Sequence, residues 1–89
     1  MAKKRRKLNK DFEKKIYSSK KNVELVLAKI YDIDDEHIQK EYMSAFKNVV
    51  YLYDELKESY EQKGFNDDSE VLLTNYKNAF NLFETEFEI

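Results

Sequence analysis

The side chains of this chain best placed to do chemistry are cations near its start. Lys3, Lys4, Arg5, Arg6 and Lys7 are consecutive, and Lys10, Lys14 and Lys15 follow. A guanidinium can fork onto two phosphate oxygens, whereas each lysine ammonium acts as a point charge. These eight groups predict non-specific contact with the phosphates of DNA or RNA, and Lys20 and Lys21 would extend the track. The charge is divided along the chain. Residues 1–22 hold ten basic residues and two acids, a charge of +8, while the remaining 67 hold six lysines and sixteen acids, a charge of −10. The overall −2 therefore conceals a basic arm on an acidic body. Other uses of Lys3–Lys7 are a solubility tail, a nuclear-import signal or attachment to a membrane surface. Leu8, Phe12 and Ile16 make only a thin apolar strip for the last of these.

Other polar clusters carry weaker signals. Asp32, Asp34, Asp35, Glu36 and His37 resemble a divalent-metal loop in outline, but a calcium loop needs alternating acids, a central glycine and a more distant bidentate glutamate. Helix capping explains the same acids without a metal. His37, the only histidine, has no cysteine or recognisable partner beside it. A chain without cysteine and with one glycine, Gly64, can form neither a thiolate nucleophile nor a glycine-rich phosphate loop. No Ser–His signature is present either. The expectation is a non-enzymatic protein with no cofactor and no metal.

The elements that must position these groups are helical. The chain has no proline and one glycine, yet 42% of it is hydrophobic, including thirteen aromatics. Strand-rich folds seldom manage with so few turn residues, and disorder does not suit so much apolar content. Met1–Lys7 has no periodicity, and the flexible arm is drawn over residues 1–9. Helix 1 is expected over about 10–31, with Phe12, Ile16, Val23, Val26 or Leu27 and Ile30 on one face. Its weak point is Ser18–Asn22, where Ser and Asn compete for backbone hydrogen bonds and a kink is one outcome. Helix 2 is expected over about 35–63 with Asp34 as its N-cap. Its stripe Ile38, Tyr42, Phe46, Val49, Tyr53, Leu56 and Tyr60 steps by threes and fours. Gly64 should supply a left-handed C′ residue, with Phe65 folding back on the last turn. Asp67 and Glu70 have the spacing of a capping box for helix 3, over about 68–86. That helix carries Leu72, Tyr76, Ala79 or Phe80, Phe83 and Phe87 on one face.

The hairpin around Gly64 resembles the short helical hairpins of sporulation-type aspartyl-phosphate phosphatases. Their second helix carries a Ser-to-Asp signature; the matching stretch Thr74–Phe80 has neither residue, so no activity is implied. Short connections make successive helices antiparallel neighbours. The fold expected is an all-α, up-down-up three-helix bundle with a basic N-terminal arm; the variant is a hairpin of helices 2 and 3 completed by helix 1 or by a dimer partner. The aromatic stripe of helix 2 could stack on bases, but its spacing assigns it to the core. Not all seven tyrosines can be buried, and Tyr17, Tyr31 and Tyr51 are expected at the surface or in an interface.

No apolar run exceeds five residues, so no membrane span is expected, and no apolar segment of the signal-peptide kind follows the first cations. A cytoplasmic protein follows. The Lys, Asn, Tyr and Ile usage suits an AT-rich genome, such as that of a low-GC bacterium, its phages or its plasmids. The function expected is that of a small accessory protein. Its arm contacts nucleic acid without sequence preference while its acidic bundle binds a protein partner. The alternative is a protein–protein inhibitor or assembly adaptor, as a nucleic-acid mimic or a homodimeric scaffold, with no direct nucleic-acid role.

Overall fold

Apolar residues recurring every three or four positions give three helices with one buried face each. The computed structural model describes residues 7–88. In it, α1 runs Lys10–Tyr31, α2 Glu36–Lys63 and α3 Ser69–Phe87, and among the described residues there is no strand beyond an isolated bridge. This is the expected all-α three-helix bundle. No helix among the described residues is long and apolar enough to cross a membrane.

The longest helix, α2, is the shared support. It buries Phe46, Val49, Tyr53, Leu56 and Tyr60 against α1 on one side and α3 on the other. The other two helices pack mainly on α2 and approach each other closely at few points. Phe46 is completely enclosed, with its ring 4.8 Å from Phe83 and 6.2 Å from Phe80. The remaining rings continue this packing toward both ends, through Tyr42–Phe87 at 4.7 Å and Phe12–Tyr60 at 5.7 Å.

Helix α1 is unbroken through Ser18–Asn22. Ser19 is buried, and its hydroxyl donates to the Lys15 carbonyl at 2.8 Å. Its own carbonyl accepts from the Tyr76 hydroxyl at 3.2 Å, which ties the expected weak point to α3. At the start, Asn9 caps the helix by accepting from the Phe12 N–H at 3.0 Å.

Several local expectations are corrected. The N-cap of α2 is Asp35, not Asp34: its backbone is extended, and its carboxylate accepts from the N–H groups of His37 and Ile38 at 2.9 and 3.1 Å. Ile38, expected on the buried stripe, is 45% exposed. Gln39 turns inward instead, and its amide donates to the carbonyls of Ile30 and Tyr31 in the last turn of α1. Asp67 and Glu70 form no capping box. Asn66 and Ser69 close that turn: the Asn66 side chain accepts from the Asp68 N–H at 2.8 Å, and the buried Ser69 hydroxyl accepts from the Asn66 N–H at 2.9 Å. On α3, Leu73 is buried in addition to the expected face.

Gly64 has φ 74° and ψ −164°, a positive-φ but extended conformation open in practice only to glycine. The chain therefore leaves α2 in an extended conformation and not in the left-handed helical one expected. The Phe65 N–H donates to the Lys7 carbonyl at 2.6 Å, and the Phe65 ring meets Phe12 edge-on at 5.1 Å. Asn9 is held in the same corner, its N–H donating to the Tyr60 hydroxyl at 3.0 Å. Lys7–Asn9, read from sequence as the end of the arm, are thus bonded to the body. Met1–Arg6 lie outside the described residues.

Candidate nucleic-acid and partner interfaces

Burial of Phe12, Ser19, Val23, Val26 and Ile30 fixes the rotation of α1, and with it the direction of every lysine on the helix. Lys10, Lys14, Tyr17 and Lys21 recur at four, three and four residues and share the outer face. Tyr17 is 57% exposed, and the Lys21 ammonium lies 5.2 Å from its ring centroid. Cation and aromatic ring are therefore side by side on the surface, an arrangement that can hold a phosphate and stack on a base. Lys15, one residue beyond Lys14, is rotated about 100° from it and faces α3. Lys7 is exposed where the chain enters the bundle. Of the eight cations singled out in the sequence, Lys10 and Lys14 share the outer face of α1, and Lys15 lies beside Lys14 on the side toward α3; Lys3, Lys4, Arg5 and Arg6 lie outside the described residues.

Where α1 and α3 diverge, opposite α2, an open groove of about 560 Å³ runs between them. Val26, Tyr76 and Phe80 form its floor with the buried Ser19. Lys14, Lys15 and Lys29 on α1 and Lys77 on α3 stand along its sides, with Glu84 the one carboxylate among the lining residues. None of these four lysines is ion-paired: the ion pair found among the described residues is an exposed Glu36–Lys40 contact within α2 at 3.9 Å. Leu25 lies along the same groove and is 61% exposed. Sequence reasoning missed Lys29 and Lys77 because they come together only once α1 and α3 are docked. The 3.6-residue period, carried from Lys15 through Asn22 and Leu25 to Lys29, is the one signal that could have grouped the α1 members.

Tyr76 supports the floor of the groove. Its ring is buried and its hydroxyl donates to Ser19; burial raises its pKa from 10.0 to about 12, so the phenol stays neutral. Burial likewise raises Tyr53, whereas Tyr51 is raised by the side-chain hydrogen bond it donates to Glu55. Phe46, Tyr53 and Tyr60 are core residues and offer no platform for bases. Tyr17, Tyr31 and Tyr51 are exposed, as their sequence positions indicated. In the acidic turn before α2, the Asp35 carboxylate is engaged in capping, and among the described residues no three His, Cys, Asp or Glu side chains come together in a way that could hold a metal ion.

No family model, curated protein or solved structure matches the chain.

Proposed function

We propose that this is a small non-enzymatic accessory protein that contacts nucleic acid through its basic N-terminal segment and binds a protein partner with its helical bundle. A cytoplasmic setting in a low-GC bacterium, a phage or a plasmid suits its composition. The observation that carries the reading is the division of charge, +8 over residues 1–22 against −10 over the rest. The outer face of α1 supports it, since Lys10, Lys14 and Lys21 extend the sequence of cations past Lys7 and place Tyr17 among them. Contacts of this kind fall on phosphates and carry no sequence information, so DNA and RNA should both bind.

The test is fluorescence anisotropy with short labelled single- and double-stranded oligonucleotides. If about five phosphates are neutralised, log K should fall with log salt at a slope near −4.5 for duplex DNA and about −3.5 for single strands. Removing residues 1–6, and separately changing Lys10→Glu with Lys21→Glu, should each weaken binding and flatten the slope. If a chain carrying both changes binds as tightly as the unaltered protein, the nucleic-acid role is wrong and the adaptor reading takes its place.

A further inference from the structure

We infer that the groove between α1 and α3 is the seat of the protein partner, and that the partner enters it as an acidic amphipathic helix. The inference specifies the protein-binding half of the function proposed above and does not depend on the nucleic-acid half.

The geometry is that of a four-helix bundle with three positions filled. Helix α2 supports both neighbours, while α1 and α3 are parallel and meet each other at few points. The position diagonally opposite α2 is where the fourth helix of an up-and-down bundle packs. From Lys14 to Lys29 the groove follows α1 for about 22 Å at 1.5 Å per residue, the length of a helix of some 15 residues. Its apolar patch of Leu25, Val26 and Phe80, set between the lysines, suits the apolar face of a docked helix.

Charge selects the partner. The groove has four unpaired lysines and one glutamate on a body whose remaining charge is strongly negative. Glutamates flanking an apolar stripe would meet those ammonium groups as the stripe covers Leu25 and Phe80. A nucleic-acid duplex could answer the lysines but keeps its bases stacked inside, and would leave Leu25 and Phe80 in water. A second copy of this chain is poorly suited, because the apolar stripes of its helices are already enclosed in its own core.

The probe is a labelled 18-residue helical peptide of Leu, Ala and Glu with leucines at i, i+4, i+7 and i+11, paired with a counterpart in which Lys replaces each Glu. Against the full chain, the acidic peptide should bind at least about tenfold more tightly than the basic one. Lys29→Glu with Lys77→Glu should reverse that preference. Leu25→Asp should weaken binding of the acidic peptide by a similar factor. All three side chains are exposed, so circular dichroism should show the fold retained. Equal affinity for the two peptides, no binding of the acidic one, or indifference to the charge reversal would overturn the proposal. So would a dimer in light scattering that Leu25→Asp dissociates, since a second copy would then fill the groove. Loss of oligonucleotide binding in the Lys29→Glu, Lys77→Glu chain, without peptide binding to the unaltered protein, would assign the groove to nucleic acid. Repeating the peptide titration on a chain without residues 1–6 separates the two halves: peptide binding that persists there, whatever happens to oligonucleotides, leaves this proposal standing.

Discussion

Tyr76 joins three roles in one side chain. Its ring packs 6.0 Å from Tyr53 and 5.8 Å from Phe80, its hydroxyl donates to the Ser19 carbonyl, and its ring lines the groove. The burial that makes this possible disfavours the phenolate. An unfolded chain releases the proton near the ordinary 10.0, while the native one holds it to about 12. Over that window the native state binds more protons than the unfolded state, so stability falls as pH rises from 10 toward 12 and is fully retained below 10. Tyr53, also raised by burial, adds a contribution of the same sign. Tyr76→Phe should cost about 1 kcal/mol at neutral pH, for the lost hydrogen bond. It should also reduce, without abolishing, the alkaline loss. Urea unfolding midpoints on either side of pH 10 measure both effects, and an unchanged pH dependence would show that Tyr76 is not the main group titrating there. That Tyr76 belongs to the core was legible in the period of α3. Its pairing with Ser19, 57 positions away, was not, because no local pattern encodes which carbonyl a hydroxyl will meet.

At the scale of elements, the three helices and their approximate limits were readable because each has a sustained apolar period and no proline to interrupt it. The errors fall at helix ends, where neighbouring residues compete for one role. Asp34 and Asp35 are both good caps by type, and what decides between them is which carboxylate stands two and three residues before free N–H groups. Asp67 lost to Asn66 and Ser69 in the same way, since their side chains accept from the Asp68 and Asn66 N–H groups and satisfy that turn. Ile38 yielded the inner position to Gln39, whose amide supplies hydrogen bonds to the open end of α1 that an aliphatic side chain cannot. Phe65 meets Phe12 of α1, a long-range contact that no local pattern encodes. The cap assignment can be checked directly. Asp35→Ala should destabilise the protein by about 1 kcal/mol in chemical denaturation. Asp34→Ala, with no such bond to lose, should stay within about 0.5 kcal/mol of the unaltered protein. The reverse order would return the cap to Asp34.

For the molecule as a whole, the sequence displayed the charge division but not where the two charges meet. The +8 belonged to a linear stretch, and only folding shows that it enters the bundle beside the α2–α3 turn, through the Lys7–Phe65 hydrogen bond. Asp67 and Asp68 are exposed in that turn, two and three residues after Phe65. Neither side chain caps α3, so both are free to act by charge alone. Carboxylates in the turn that holds the Lys7 backbone compete with an incoming phosphate for the Lys7 ammonium. The competition must fade with salt, because the screening length shrinks from about 30 Å at 0.01 M to about 8 Å at 0.15 M. Asp67→Asn with Asp68→Asn should therefore tighten oligonucleotide binding about two- to fivefold at low salt, and by much less at physiological ionic strength. Anisotropy titrations of both chains across that range measure the difference. A gain that persisted undiminished at high salt would point to a direct contact of the new amides with the ligand. No gain at low salt would mean that the basic segment meets its target away from the acidic turn, and that folding brings the two charges near each other without coupling them.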